Sequence, residues 1–194
     1  MKSTAAAVVF LLAFFCFIIN APALEITKLS SAAASAASPD KAAATPAAGM
    51  GVIVFSGVLE VKGISLRKNA VVMPVTEYKG RSYEDIKLLS KGLYAKIEAC
   101  LSKSVCKNAP AALPKITVTG VKMLKSKNRL ANSETVFDGE LLVTAGIMNS
   151  SREPGELWIS WPEDFKINDA ALKAKAETLI KETYAKTLKT TGKS

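Results

Sequence analysis

The stretch Val54-Phe55-Ser56-Gly57-Val58-Leu59-Glu60-Val61 decides how this chain is organised, because its pattern occurs twice. Val54-Phe55, Gly57, Leu59 and Val61 return at the same spacing in Val136-Phe137-Asp138-Gly139-Glu140-Leu141-Leu142-Val143. In each copy a turn pair, Ser56-Gly57 or Asp138-Gly139, separates two apolar runs and so predicts a β-hairpin. Since chance is a poor explanation for such a match, we interpret the chain as a tandem duplication.

The repeat continues beyond the hairpin. Glu84-Asp85-Ile86-Lys87 recurs as Glu163-Asp164-Phe165-Lys166. At the same offset the first copy has Leu93, Ala95, Lys96 and Glu98, and the second has Leu172, Ala174, Lys175 and Glu177. Each unit is therefore predicted to run strand, strand, strand, strand, helix.

Short apolar or alternating runs between turn residues predict the strands. They are 24–29, 52–55, 58–64 and 70–73 in the first unit, and 116–124, 134–137, 140–148 and 157–161 in the second. Pro74 and Pro162 end the fourth strand of each unit, since proline has no N–H for a ladder. Connections this short favour antiparallel pairing.

Helical periodicity follows in both units, and Ser90 and Asp169 stand at equivalent places as N-caps. One apolar face is formed by Leu93, Ile97, Cys100 and Leu101, and the other by Leu172, Ala176, Leu179, Ile180 and Tyr184. Each helix can then cover one face of its own sheet.

These elements predict an α+β protein of two tandem units, each with about four antiparallel strands and one C-terminal helix, packed as a pseudo-dimer in one chain. Unit 1 is 24–106 and unit 2 is 114–190, with a linker at 107–113 and a tail at 191–194. Residues 30–50 are mostly Ala, Ser and Pro and predict a disordered loop within unit 1.

The N-terminal segment is typical of a signal peptide, because Lys2 is followed by no charge until Glu25 and residues 5–19 are almost wholly apolar. Ala21-Pro22-Ala23 offers small residues for cleavage after Ala23, so residues 1–23 would be removed. The apolar core is shorter than the roughly 20 residues of a spanning helix, which argues against an uncleaved anchor. We therefore expect an exported protein, periplasmic or extracellular.

The charge and the missing histidines limit the function classes. The formal charge of +9 falls to +8 in the mature chain, since the segment removed carries only Lys2. This excess suggests an acidic partner, although a lysine-rich soluble surface is an equally common cause. The sequence has no histidine, so the usual general base, zinc ligand and Ser-His or Cys-His pairs are missing. We expect neither catalysis nor a cofactor.

Two cysteines, Cys100 and Cys106, stay in the mature chain, in a compartment where a disulfide can persist. A bridge requires the helix to end before Cys106, because six residues of continuous helix would separate the Cα atoms by about 9 Å. The residues are equally compatible with two free thiols, Cys100 being packed in the core.

The units resemble the SpoVG family (stage V sporulation protein G, the septation protein). In unit 2 the resemblance lies in Ile116–Val121, in Val136–Val143 and in the strand that ends in Trp161-Pro162. In unit 1 it lies in Val71-Val72-Met73-Pro74 and Tyr83-Glu84-Asp85-Ile86. The resemblance implies a small protein that dimerises through its sheets, binds DNA or RNA and is linked to septation.

The chain departs from that family at the basic nucleic-acid loop, which the resemblance places after the Met-Pro strand end. Thr76 and Glu77 occupy loop positions in unit 1, and Glu84 stands where the family has an arginine. In unit 2 Pro162 runs directly into Glu163-Asp164, so the loop is deleted. Glu77, Glu84, Glu163 and Asp164 would repel phosphates and weaken nucleic-acid binding.

The candidate anion or nucleic-acid site is formed by Lys79 and Arg81 in the unit 1 loop, with Arg67 and Lys68 in a neighbouring hairpin. A cluster of four cations can equally be a solvated edge that prevents sheet aggregation.

The pairs Glu84-Asp85 and Glu163-Asp164 could serve a carboxylate-dependent hydrolase, but adjacent residues on a strand point to opposite faces. Trp158 and Trp161, three apart, should likewise lie on opposite faces.

The sequence thus predicts a non-catalytic, exported, SpoVG-like protein that binds an anionic polymer or a protein of the cell envelope. The alternative is a nucleic-acid-binding regulator linked to septation, with the N-terminal segment misread as a signal. A carboxylate-dependent hydrolase is a distant third.

Overall fold

The computed structural model describes residues 23–31, 51–103, 106, 112–151, 153 and 155–191. The first unit contains strands β1 (Ile26–Ser31), β2 (Gly51–Phe55), β3 (Leu59–Arg67), β4 (Ala70–Val72), β5 (Thr76–Tyr78), β6 (Arg81–Tyr83) and β7 (Ile86–Leu88), and helix α1 (Lys91–Lys103). The second contains β8 (Ile116–Met123), β9 (Arg129–Phe137), β10 (Leu141–Asn149), β11 (Leu157–Ser160) and β12 (Phe165–Ile167), and helix α2 (Ala170–Thr191). The predicted α+β class with antiparallel sheets is confirmed.

The strands form two five-stranded sheets and one two-stranded sheet. The first large sheet has the order β1-β2-β3-β12, and β4 also pairs with β3. The second has the order β11-β10-β9-β8, and β7 also pairs with β10. Each large sheet therefore takes one strand from the other unit: β12 joins the first and β7 the second. The prediction of about four strands per unit missed this fifth, exchanged strand.

The two exchanged strands pair at equivalent places. Ile86 and Leu88 of β7 lie opposite Val143 and Leu141 of β10. Phe165 and Ile167 of β12 lie opposite Val61 and Leu59 of β3. In the repeat, Val61 corresponds to Val143 and Leu59 to Leu141. Neither large sheet is complete without three residues from the other unit.

Backbone hydrogen bonds extend both crossings by one residue. The Thr144 N–H donates to the Asp85 carbonyl at 2.7 Å, and the Lys62 N–H donates to the Asp164 carbonyl at 2.8 Å. The Glu-Asp pairs that precede β7 and β12 therefore serve as the points where the chain enters the other unit's sheet.

The duplicated hairpin turns have the geometry that their sequence predicts. Ser56 and Gly57 have φ angles of 49° and 71°, and Asp138 and Gly139 have 50° and 70°. Two consecutive left-handed residues are the mark of a type I′ turn, whose twist matches that of the flanking strands. Each turn is closed by an N–H of the next residue, Val58 or Glu140, which donates to the carbonyl of Phe55 or Phe137. Phe55 then pairs with Leu59 and Phe137 with Leu141, so both hairpins have the same register.

Side chains from both units share one hydrophobic core. Phe55 and Phe137, equivalent in the repeat, are fully buried in the same cluster. The ring of Phe137 lies 5.6 Å from that of Phe165, centroid to centroid, so the exchanged strand β12 contributes directly to this core. A smaller cluster under α2 contains Ala131, Ala145, Ile147, Ile159, Ile180 and Tyr184.

Both helices begin at the predicted caps. The Ser90 hydroxyl accepts a hydrogen bond from the Leu93 N–H at 3.2 Å, and the Asp169 carboxylate accepts one from the Leu172 N–H at 2.6 Å. Helix α1 packs on β1, β3, β4 and β7, and α2 packs on β8, β9, β11 and β12. All of these strands belong to the helix's own unit, but β7 and β12 lie in the other unit's sheet, so each helix contacts both large sheets.

Some predicted boundaries were wrong. Ser30 and Ser31 continue strand β1 by pairing with Val52 and Gly51, so they are not part of a loop. Thr191 belongs to α2 and not to a tail. The rest of the predicted loop, most of the signal peptide, 107–111 of the linker and 192–194 of the tail lie outside the described residues. Within the described ranges, no helix combines the length and apolarity needed to cross a membrane.

Candidate binding site on the β5–β6 hairpin

Strands β5 and β6 form the two-stranded sheet, which has no strand pairing with either large sheet. Thr76 pairs with Tyr83 and Tyr78 with Arg81. Every residue from 75 to 84 is exposed. The chain between β4 and β7 is therefore a hairpin that offers its side chains to solvent.

One face of this hairpin combines aromatic rings with cations. Because side chains alternate along a strand and paired residues share a face, Thr76, Tyr78, Arg81 and Tyr83 lie together. We call these four residues the tyrosine face. Tyr78 is 60% exposed and Tyr83 is 42% exposed. Lys79 adds a second cation, since its Nζ atom lies 5.4 Å from the centroid of the Tyr78 ring.

The four predicted cations lie at two separate hairpin turns. Lys79 and Gly80 have φ angles of 51° and 72° and form the β5–β6 turn. Lys68 and Asn69, with φ angles of 48° and 63°, form the turn between β3 and β4, and Arg67 ends β3. Arg67 and Lys68 therefore share one hairpin, and Lys79 and Arg81 share the other, which also carries the two tyrosines.

The two acidic residues of this region, Glu77 and Glu84, lie away from the tyrosine face. Glu77 pairs with Ser82, so it lies on the hairpin face opposite the tyrosine face. Glu84 is exposed and forms an ion pair with Lys87 at 3.5 Å. Neither carboxylate therefore lies on the tyrosine face itself.

A surface pocket of about 430 Å³ lies at the base of the hairpin. Its lining residues are Val71, Val72, Met73, Pro74, Val75, Glu84, Ile86, Lys87 and Leu88. Val75 is 47% exposed at this junction. The pocket presents both polar and apolar surface, and it adjoins the tyrosine face through Val75 and Glu84.

The second unit has no such hairpin. Strand β11 ends at Ser160 and β12 begins at Phe165, so four residues replace the whole β5–β6 segment. Trp161 in this connection turns inward: its ring lies 5.4 Å from that of Phe165, and its Nε1 donates to Glu177 at 3.3 Å. Trp158 is 48% exposed. The two tryptophans thus occupy different environments, but β11 ends before Trp161, so the predicted placement on opposite faces of one strand is wrong.

The acidic pairs Glu84-Asp85 and Glu163-Asp164 stand where the chain enters the other unit's sheet. Asp85 and Asp164 are half-buried, while Glu84 and Glu163 are exposed. Burial raises the pKa of Asp164 above 3.8, the nearby Glu163 carboxylate raises it further, and Lys62 lowers it. In the described part of the chain, no three Asp, Glu, Cys or His side chains cluster as metal ligands would.

The sulfur atoms of Cys100 and Cys106 are bonded, with their Cα atoms 4.8 Å apart. Helix α1 ends at Lys103, so the chain can turn back to make this bridge. The disulfide lines a surface groove of about 640 Å³ between β1 and α1, together with Ile26, Ala95 and Ala99. Lys96 and Glu25 form an ion pair of 2.7 Å beside this groove.

Comparison of the chain with models of known protein families, with curated proteins and with solved structures found no match.

Sequence reasoning found the cations of the hairpin but missed Tyr78 and Tyr83. In the segment Thr76–Tyr83 the pair Lys79-Gly80 separates two short runs that each contain one tyrosine, and such a pair is a hairpin signal of the kind already used for Ser56-Gly57. Had the same rule been applied here, the tyrosines and Arg81 would have been placed on one face.

Asp164→Asn should remove a pH-dependent loss of stability. Because the folded pKa is raised, the unfolded chain ionises first as the pH rises through 3.8, and the folded state loses stability relative to it until Asp164 also ionises. The variant minus wild-type unfolding free energy should rise by a few tenths of a kcal/mol between about pH 3 and pH 7, the partly exposed carboxylate being screened.

Urea unfolding at a series of pH values measures this difference. Glu163→Gln is the matched control, since it removes only the second cause of the shift and should give a smaller rise. A difference that stays flat or falls with pH would contradict the assignment of Asp164.

Proposed function

We propose that this chain is a non-catalytic, exported binding protein that engages an anionic polymer of the cell envelope through the β5–β6 hairpin. The observation that carries the proposal is the tyrosine face, where Tyr78, Tyr83 and Arg81 are exposed side by side and Lys79 lies at the turn. Exposed cations give long-range attraction to a polyanion, and exposed rings provide contact area with few rotatable bonds.

Two observations support export. The N-terminal segment carries the charge pattern of a signal peptide that ends at Ala23. The Cys100–Cys106 disulfide suits an oxidising compartment outside the cytoplasm.

The architecture we propose is a pseudo-dimer made in one chain, as the resemblance to the SpoVG family implies. The reciprocal pairing of β7 with β10 and of β12 with β3, at corresponding positions of the repeat, supports it. Two copies of one ancestral unit that exchanged a short strand would pair in this way, because a two-fold contact places residue i against j and j against i.

Duplication within one chain would allow the two copies to diverge. Only the first unit has the β5–β6 hairpin, so the pseudo-dimer would present one binding hairpin and not two. A partner with a single accessible anionic segment needs no second site. The shortened connection at Trp161–Asp164 is used for packing instead, since Trp161 contacts both hydrophobic clusters.

The proposed absence of catalysis rests on the roles of the candidate carboxylates. Asp85 and Asp164 lie where β7 and β12 enter the opposite sheets, with their carbonyls accepting the Thr144 and Lys62 N–H groups. These main-chain contacts give the two pairs a place in the crossings, and Glu84 and Glu163 beside them are exposed to solvent. We therefore propose that the pairs serve the crossings and not acid and base catalysis.

The second candidate function is binding of single-stranded nucleic acid, and the exposed rings of Tyr78 and Tyr83 favour it. Bases stack on aromatic side chains with little sequence preference, and nearby cations hold the backbone. Glu77, on the opposite face, would not prevent such contacts. The family resemblance implies the same ligand, in which case the protein would act as a regulator.

Charge reversal at Lys79 and Arg81 should weaken binding to dextran sulfate and flatten its salt dependence. Each cation lost removes about one released counterion from the slope of log K against log salt. The control reverses Lys175 and Lys186, two exposed lysines of α2. Titration at several salt concentrations gives both slopes, and equal losses in the two variants would show that the charge acts as a diffuse surface.

Tyr78→Ser with Tyr83→Ser separates the two ligands. If nucleic acid is the ligand, this variant should lose affinity for oligothymidylate by about tenfold or more, because stacking contributes roughly 1–3 kcal/mol per base. Its affinity for dextran sulfate should change much less. Similar losses for both polymers would remove the case for stacking.

Residues 113–190 expressed alone should form a homodimer. The fragment lacks β7, so the edge of β10 at Leu141–Val143 is free, and its own β12 can pair there in a second copy as β7 does in the full chain. Analytical ultracentrifugation would detect the dimer. Ile167→Lys in the fragment should prevent it, and a cooperative monomer at high concentration would contradict the proposed pseudo-dimer.

A further inference from the structure

Leu24 occupies an unusual position for a residue at the edge of a removable segment. Its side chain is fully buried in the shared core, while Ala23 before it is exposed. The Leu24 carbonyl accepts a hydrogen bond from the Lys96 ammonium at 3.0 Å. Both the side chain and the backbone carbonyl of Leu24 are therefore fixed by contacts within the fold.

The backbone nitrogen of Leu24 faces a carboxylate of the other unit. It donates a hydrogen bond to Glu140 Oε2 at 2.7 Å, between two residues 116 positions apart in the sequence. Glu140 is half-buried at the β9–β10 turn. A carboxylate placed against this nitrogen would be stabilised further if the nitrogen carried a positive charge.

The second unit shows that this contact is not a general feature of the repeat. The Lys115 carbonyl accepts from the Asp138 N–H at 2.9 Å as the Glu25 carbonyl accepts from the Ser56 N–H at 2.7 Å, so position 114 corresponds to 24. Position 114 is Pro114, which has no N–H, and the residue corresponding to Glu140 is Val58. The second unit therefore lacks both the donor and the acceptor at the position where the chain continues without cleavage.

We propose that proteolytic removal of the export signal cuts between Ala23 and Leu24, and that the ammonium released on Leu24 forms an ion pair with Glu140 that fastens the new N-terminus to the second unit. This inference rests on the exported character of the proposed function. It assigns a processing site and a docking carboxylate for its product.

The chemistry is hydrolysis of one peptide bond by a signal-removing peptidase. Water adds its hydroxyl to the Ala23 carbonyl carbon, the C–N bond breaks, and the Leu24 nitrogen takes up protons. At neutral pH the products are a carboxylate on Ala23, which leaves with the signal, and an α-ammonium on Leu24. Because Leu24 is fully buried in the fold, cleavage has to precede folding of β1.

One of the two carboxylates near the new terminus already has a positively charged partner. Lys96 of α1 binds both the Leu24 carbonyl and the Glu25 carboxylate, the latter at 2.7 Å. Lys96 is thus matched by Glu25, which leaves Glu140 without an ion-pair partner among the described residues until the ammonium of Leu24 is formed.

The test compares chains that begin at Leu24 and at Ala23, each with Glu140 and with Glu140→Gln. Both can be made by cleaving a fusion protein in vitro, so export is not required. In the chain that begins at Ala23 the ammonium is one residue away and Leu24 keeps a neutral N–H. The variant should lower the folding equilibrium constant about five- to tenfold more in the chain that begins at Leu24.

Glu163→Gln is the matched control and should act equally in both chains, because Glu163 is exposed. Glu140→Asp, which keeps the charge, should lose less than Glu140→Gln if the latter folds poorly. Equal losses for Glu140→Gln in both chains would overturn the ion pair. Intact mass of the exported protein should give Leu24 as the first residue, and any other terminus would overturn the cleavage site.

Neither result depends on polymer binding. If the chains show the expected coupling and the exported protein begins at Leu24 while dextran sulfate and oligothymidylate fail to bind, the binding function fails and the processing proposal stands. If the polymers bind and the coupling is missing, the binding function stands and the ion pair between Leu24 and Glu140 fails.

Discussion

The reciprocal exchange of two three-residue strands is the constraint on which the rest of the structure depends. Strand β7 completes the sheet of the second unit, and β12 completes that of the first. Each unit alone would expose one edge of a long strand and the apolar side chains behind it. The exchange satisfies those backbone groups within one chain and draws Phe165 and Ile86 into a core that also contains Phe55 and Phe137.

The exchange also explains why one unit can vary without unfolding the other. The chain between the fourth strand and the exchanged strand has only to reach the opposite sheet. In the second unit four residues suffice, and Trp161 packs inward among them. In the first unit the same connection is extended by β5 and β6, which contribute no residue to the buried core. Residues that do not pack in the core can be replaced by binding residues with little loss of stability.

The sequence predicted those parts of the fold that depend on local chemistry. Ser56-Gly57 and Asp138-Gly139 specify type I′ turns, and Ser90 and Asp169 specify helix starts, because each effect involves neighbouring residues. The exchanged strands could not be found in this way. Three residues such as Ile86–Leu88 are too short for a periodic signal, and their partners at Leu141–Val143 are set by tertiary pairing alone.

Strand β9 shows a second limit. It begins at Arg129, five residues before the predicted start at Glu134. The predicted start is too late because Asn132 and Ser133, which precede Glu134, are polar. Ser133 is nevertheless fully buried, and its hydroxyl lies 3.5 Å from that of Thr135. Mutual contact of two hydroxyls makes such burial tolerable, and no pattern of hydrophobicity reveals it. For the candidate site, the four cations were found from charge, whereas the grouping of Lys79 and Arg81 with two tyrosines required the strand register.

Native-state hydrogen exchange at the two crossings tests most directly whether the units form one interlocked structure. The amides to follow are those of Lys62 and Thr144, which donate to Asp164 and Asp85 of the opposite unit. If the units are interlocked, neither crossing can open alone, and both amides should exchange with the free energy of global unfolding. Exchange of either amide at a markedly lower free energy, with the other unaffected, would show that the units open independently and would contradict the account.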